Sequence, residues 1–350
     1  MEMMFKYCKK LFTNKKELIH LSLFLFINIT IIMMIITLVI NVFDTSDNAM
    51  YKRLFSSVRE PNYLLSQTAN DNLILFDTKR KEGIDLELSA DLVVNNEEYN
   101  TFYLIDFLTD KIEVREIKKF KDKIINSNNF EIKTAINKNE ISDFKFENGN
   151  LYLLNQTKKE LINLSFKEQK EVSRLELLSD LINWSVWNGE VYLATSNEVY
   201  STNAQNELKQ LIEIDNIKGI SINDGVLSVL RGSDEFHFLY SYRLEDFELV
   251  NGIAFEAVDA QLLESSGSEP HIYFYMQNSQ GGLTTQMIDL ETSESYSIDL
   301  KLNEIESNLH FKKSCGYYLN KNNEIVLQGA NNKPLKFQAG EIITTIYPFY

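Results

Sequence analysis

Two cysteines in 350 residues cannot frame a disulfide scaffold, and four prolines with 13 glycines exclude a collagen-like or proline-rich polymer. Histidine is as scarce, with His20, His237, His271 and His310 far apart in the chain and none in an H-x-x-x-H or Cys/His grouping, so a zinc site has no support. No G-x-S-x-G elbow, P-loop, G-x-G-x-x-G or D-x-[DN]-x-[DN]-G loop occurs, and no metal or cofactor is expected. Basic charge is also short, with 35 Lys and Arg against 50 Asp and Glu for a net −15. A chain this acidic repels nucleic-acid phosphates, which excludes nucleic-acid recognition. What is present, 44% hydrophobic and 24% charged residues, excludes a disordered polymer and supplies a sizeable core.

The charge is unevenly placed. Residues 1–19 carry Lys6, Lys9, Lys10, Lys15 and Lys16 against Glu2 and Glu17, and residues 20–43 carry no Asp, Glu, Lys or Arg. From Leu18 to Phe43 the sequence is dominated by Leu, Ile, Phe, Met and Val, with only uncharged polar members such as His20, Asn28 and Thr30. A 24-residue helix at about 1.5 Å per residue reaches about 36 Å, enough to span a bilayer core with some tilt. The Lys-rich leader and the acidic exit at Asp44 and Asp47 predict a cytoplasmic N-terminus. No small-residue cleavage site follows and no polar face appears, so an uncleaved single-pass anchor is expected rather than a signal peptide or a core helix. The organisation expected is therefore a short basic cytoplasmic segment (1–17), a transmembrane helix in membrane lipid (18–43), a linker (44–61) and an extracytoplasmic β-rich domain (62–350). Cys8 and Cys315 then fall on opposite sides and cannot pair.

After the linker, short runs rich in aromatic and β-branched residues alternate with Asn, Asp, Gly and Ser. One unit recurs, an alternating strand, an Asn-Gly-type turn and a second apolar strand. It occupies Phe144–Leu153 around Asn148-Gly149, Trp184–Leu193 around Asn188-Gly189, and Ile220–Leu227 around Asp224-Gly225. Looser copies are read at Asn70–Leu73, Glu269–Tyr273 and Cys315–Leu319. A second hairpin element runs through Leu104–Val114 and Met287–Ile298, with weaker versions at Phe76–Thr78 and Leu161–Ser165. Two hairpins in about 35–46 residues give four strands, the content of one propeller blade.

This pattern resembles the broad β-propeller class, including quinoprotein-like and YVTN-type repeats, in which "I-D-x-x-T" hairpins close each blade. The resemblance covers roughly residues 62–345 and implies an all-β domain of six or seven blades, with a β-sandwich-like domain as the alternative. The Asp77 and Asp106 elements, only 29 residues apart, fit that spacing poorly. Short helical patterns are read at Leu175–Leu181 and Asn206–Ile214, and a helix or an exposed hairpin at Ile112–Lys123.

Candidate site residues are few. Trp184 and Trp187 point to opposite faces of one strand, so one of them is the candidate for a binding rim. Ser221–Gly225 resembles part of a sialidase Asp-box and is read as a hairpin turn; Gln280-Gly281-Gly282 is read as a flexible loop. The glycosylation triplets at Asn155, Asn163 and Asn183 matter only in a eukaryotic secretory pathway. With no catalytic motif, the expectation is a non-enzymatic binding, scaffold or sensor module with a protein or cell-envelope partner. The alternatives are a glycan-active hydrolase using carboxylates in a propeller funnel, and a structural or adhesin-like surface protein.

Overall fold

The computed structural model describes residues 63–349 apart from 81, 97–100, 121–122, 178–180, 203–206, 234, 264–269, 299–304, 313–314, 330–334 and 339–341. The expected anchor at 18–43, the basic leader and the linker lie outside the described residues. Among the described residues no helix is long and apolar enough to cross a membrane.

Apart from a single 3-10 turn at Lys138–Glu140, the regular elements described are strands, and they form seven four-stranded antiparallel sheets. The first sheet holds β1 (Tyr63–Thr68), β2 (Asn72–Asp77) and β3 (Glu82–Ser89). The second is β4 (Leu92–Asn96), β5 (Thr101–Phe107), β6 (Lys111–Phe120) and β7 (Lys123–Lys133). The third is β8 (Asp143–Glu147), β9 (Asn150–Asn155), β10 (Glu160–Ser165) and β11 (Lys170–Glu176). The fourth is β12 (Asn183–Trp187), β13 (Glu190–Ala194), β14 (Glu198–Thr202) and β15 (Leu208–Glu213). The fifth is β16 (Ile217–Asn223), β17 (Val226–Gly232), β18 (Phe236–Arg243) and β19 (Leu249–Glu256). The sixth is β20 (Asp259–Leu263), β21 (His271–Gln277), β22 (Leu283–Asp289) and β23 (Ser295–Ile298). The seventh is β24 (Ile305–Lys312), β25 (Cys315–Asn320), β26 (Glu324–Gly329) and β27 (Leu335–Gln338). The last strand, β28 (Ile343–Phe349), leaves the seventh sheet and pairs with β1, Tyr63 opposite Phe349 and Leu65 opposite Tyr347, so that the first sheet has the order β28-β1-β2-β3.

Each strand alternates sides, so each sheet buries an apolar face against both neighbours. Leu65, Leu73 and Leu75 of the first sheet pack on Val93, Phe102 and Leu104 of the second. Val114 and Ile132 meet Leu151 and Leu164 of the third sheet. Tyr152 and Leu161 meet Trp184 and Leu193 of the fourth. Tyr192 and Val199 pack on Ile220 and Val229 of the fifth. Leu230 and Leu239 pack on Ile272 and Ile288 of the sixth. Tyr273 stacks on Phe311 of the seventh at 4.1 Å. Leu319 and Ile325 then return to Leu64 and Ile346 of the first sheet. The architecture is all-β and propeller-like, as the hairpin pattern predicts.

The strand phase explains the irregular spacing. The Asn-Gly and Asp-Gly dipeptides all connect the first and second strands of their sheets, with φ of +49° and +75° at Asn148 and Gly149, +52° and +81° at Asn188 and Gly189, and +47° and +74° at Asp224 and Gly225. Positive φ at both central residues is the type I′ turn that matches strand twist. Asn70-Asp71, read as an upstream copy, instead connects the second and third strands of its sheet, because β28 takes the first position there. Asp77 and Asp289 sit at third-to-fourth turns, whereas Asp106 sits before a second-to-third turn.

One helical reading is corrected, and a second is corrected at its start, its residues 178–180 lying outside the described residues. Residues 208–213 form β15, where pairing of Leu208 with Thr202 and Ile212 with Val199 overrides local propensity. Leu175 lies in β11, and Leu175, Leu177 and Leu181 join the core between the third and fourth sheets. The charged run after Ile112 is the hairpin of β6 and β7, laced by Lys111 Nζ to Glu113 and Glu131 at 2.8 and 2.7 Å.

Candidate functional site

Alternating strand direction divides every sheet into two ends. First-to-second and third-to-fourth turns lie at one, the turn end; second-to-third turns and sheet-to-sheet connectors lie at the other, the connector end. The paired Tyr63 and Phe349 place both the entry of the described chain and its exit at the turn end of the first sheet.

At the turn end, the residue that precedes a tight turn ties the third sheet to the fourth and the fourth to the fifth. Glu147, before Asn148-Gly149, accepts the backbone N–H groups of Asn188 and Gly189 in the next sheet at 2.9 and 2.8 Å. Trp187, before Asn188-Gly189, lies against Gly225 of the following sheet, its ring 3.8 Å from where a Cβ there would stand. Third-to-fourth turns are held by Asp77 Oδ1, which accepts from the backbone of Lys79 and Arg80, and by Asp289 Oδ1, which accepts from Glu291 and Thr292. These are the Asx geometries that let Asp and Asn replace Gly and Pro in turns.

At the connector end, polar side chains fold over the second-to-third turns. Asn155 Oδ1 accepts from Lys158, Thr195 Oγ1 from Glu198, Asn278 Oδ1 from Gly282, and Asn320 Oδ1 from Glu324. Lys138, in the connector before β8, reaches Asp71 of the first sheet at 3.0 Å and Asp91 before the second at 3.1 Å. These carboxylates raise the Lys138 pKa against the opposing effect of burial. Asp71 also accepts from Gln67, and Asp91 from the backbone of Phe107. Three sheets are thereby tied at one point by groups that no local motif links.

Trp184 is 4% exposed and donates its indole N–H to Asp143 Oδ2 of β8 at 2.7 Å. It packs between the third and fourth sheets, and half-buried Trp187 between the fourth and fifth. The two rings thus sit on opposite faces of β12. His237 is 1% exposed and stacks on Phe255 at 5.8 Å. His271 opens β21, while His310 and Cys315 lie in β24 and β25. Asn155 is buried and donates to Glu140, and Asn183 accepts from the Ile220 backbone, so both serve the fold. Among the described residues, no three His, Cys, Asp or Glu are placed to hold a metal ion.

Two grooves open between sheets. One of about 460 Å³, between the first and second sheets, has a floor of Leu86, Leu88, Leu104 and Ile117 beside Asp85 and Arg115. The other, of about 210 Å³ between the third and fourth sheets, is lined by polar groups including Tyr152, Asn163, Ser173 and Thr202. Burial, with the nearby Glu147 charge, pushes the Tyr152 phenol up to about 12, so it remains a neutral hydroxyl.

The sequence matches no family model and no curated protein. Solved structures share the fold. A functionally unknown protein from Desulfotomaculum acetoxidans is 11% identical with a TM-score of 0.54, over 83% of this chain and 99% of that one. A candidate 6-phosphogluconolactonase from Bacteroides uniformis is 9% identical with a TM-score of 0.53, over 83% and 99%. Apo AztD from Citrobacter koseri is 8% identical with a TM-score of 0.51, over 81% and 96%. At these identities the likeness is one of fold alone, and that fold is propeller-like.

Proposed function

We propose that the chain is a single-pass, membrane-anchored extracytoplasmic binding or scaffold protein whose outward domain is a closed seven-bladed β-propeller. The observation that carries the reading is the pairing of β28 with β1, which joins the end of the described chain to its beginning through six backbone-paired positions. With that pairing, core packing passes from each sheet to the next and from the seventh back to the first. Such a body is held open at both ends by turns and connectors, the places where propellers present binding surfaces. The uncharged stretch 18–43 supplies the tether, and the acidic balance of the rest keeps the domain off anionic lipid and nucleic acid. Isolation of the full chain from its own membranes in mild detergent tests this. A membrane-protein partner recovered in stoichiometric amount is expected, and recovery of the chain alone contradicts the scaffold role.

A further inference from the structure

Ten large apolar side chains are exposed among the described residues. Ile84, Val172, Leu208 and Leu249 lie on the outermost strands of their sheets. The other six all lie at the connector end: Leu108 in a second-to-third turn, Phe236 and Leu283 as the first residues of the third strands β18 and β22, and Ile182, Val258 and Ile342 directly before the first strands of their sheets. Isolated exposed apolar residues are ordinary, but several brought together at one place mark an interaction surface.

Three of the six lie in succession along the passage from the fifth sheet into the sixth. Phe236 pairs with Glu256 on β19, and the ladder runs on through Ala257 N–H to Glu235 O at 3.2 Å. The next residue, Val258, already donates to Gln277 O of the sixth sheet at 2.8 Å, and Gln277 pairs in turn with Leu283. Phe236, Val258 and Leu283 are 48, 51 and 41% exposed. The residues interleaved with them are acidic and exposed: Glu235 beside Phe236, Glu256 opposite it, and Asp259 after Val258. Lys218 on β16 is a basic residue in the same neighbourhood, since it and Asp259 both act on the charge of buried His237. The paired Tyr63 and Phe349 lie at the opposite end of the sheets from this surface.

We infer that the apolar, acid-rimmed surface of Phe236, Val258 and Leu283 docks an amphipathic segment of a partner protein carrying both apolar and basic residues. Apolar burial supplies the attraction, and the carboxylates select the sign of the partner's charge and speed its approach. The same carboxylates act against an anionic bilayer as occupant. A second copy of this chain would bring a net-acidic body to an acidic rim. The inference rests on the binding reading above and narrows it to one surface and one partner chemistry.

The test uses the full chain in nanodiscs of zwitterionic lipid, with empty discs subtracted, and three labelled 16-residue peptides. One is an amphipathic Leu/Lys helix, one has Glu for every Lys, and one has Ser for every Leu. The Leu/Lys peptide is expected to bind at least ~10-fold more tightly than either control, a gap of about one decade in Kd. Phe236→Ser combined with Val258→Ser, and separately Glu235→Lys with Glu256→Lys, should each weaken it at least ~10-fold, while Leu208→Ser with Leu249→Ser leaves it unchanged. Thermal unfolding of each variant checks that these exposed changes leave the fold intact. Equal binding by the Leu/Glu peptide, or undiminished binding by both connector-end variants, overturns the inference. So does finding that those variants abolish self-association of the discs or adsorption to peptide-free vesicles, which would make a second copy or lipid the occupant. Because the peptide assay is independent of topology, it can fail while the anchored reading stands, and the reverse.

Discussion

The indole N–H of Trp184 on β12 donates to Asp143 Oδ2 on β8 at 2.7 Å, joining the innermost strands of two adjacent sheets. The same carboxylate takes the Phe144 backbone N–H through Oδ1 at 2.8 Å, so both Asp143 oxygens are engaged. Trp184→Phe keeps an aromatic ring but removes the donor, and the expected loss is about 1–2 kcal/mol of unfolding free energy. Trp184→Ala, which empties a buried site, should cost about 3–5 kcal/mol. Denaturant unfolding of both variants, with Asp143→Asn to close a double-mutant cycle, measures the coupling; additivity would mean that the bond contributes nothing.

The tight turns carry a sharper prediction. Gly189 has φ +81° and its N–H is held by Glu147, so Gly189→Ala strains the backbone with no steric clash to relieve. The expected cost is about 1–2 kcal/mol, the penalty of a left-handed conformation for an L-residue. Asn188→Gly, at the other positive-φ position, should be tolerated. Equal destabilisation by the two substitutions would contradict the type I′ assignment.

His237 sets a pH dependence. Burial and the nearby Lys218 charge hold its pKa below the ordinary value, against the weaker opposing effects of Asp259 and the Ala257 backbone. The folded state therefore binds the proton less readily than the unfolded chain, whose histidine titrates near ~6.5. Stability is retained above that pH and falls as pH drops through it. Burial lowers His271 as well, against the charges of Asp289 and Glu291, so its share adds in the same direction. Tm measured from pH 7.5 down to 5.5 should decline, and His237→Phe should flatten the decline without abolishing it. An unchanged slope in that variant would remove His237 from the account.

The same histidine explains a glycine. A Cβ at Gly232 would overlap the imidazole ring of His237, its partner across the β17–β18 ladder. Gly232→Ala should cost about 1–3 kcal/mol as an overpacked site. Adding His237→Ala should recover part of that loss, which equilibrium unfolding of the double variant reads directly.

Much of this was legible in the chain. Asn148-Gly149, Asn188-Gly189 and Asp224-Gly225 announce hairpins because few residues tolerate positive φ twice in succession, and period-two alternation puts Trp184 and Trp187 on opposite faces. The phase of the first sheet was not legible: β28 supplies its first strand from some 280 residues away, and no local signal marks that pairing. The same displacement made Asp77 and Asp106 look like one repeated element. The strand of 208–213 was hidden because its leucine and lysine content suits a helix and only pairing with β14 decides otherwise. Lys138, Phe236, Val258 and Leu283 carried no motif, since exposure and cross-sheet reach are properties of the assembled sheets.

The central claim is a permanent tether with the β-domain outside the membrane. Protease added to intact cells, with and without prior permeabilisation, and followed by alkaline extraction of the membranes, tests it most directly. The account predicts that residues beyond 62 are digested without permeabilisation while a fragment spanning 18–43 stays in the alkali-washed pellet. Protection of the β-domain until the cells are opened, or release of the whole chain by alkali, would contradict it.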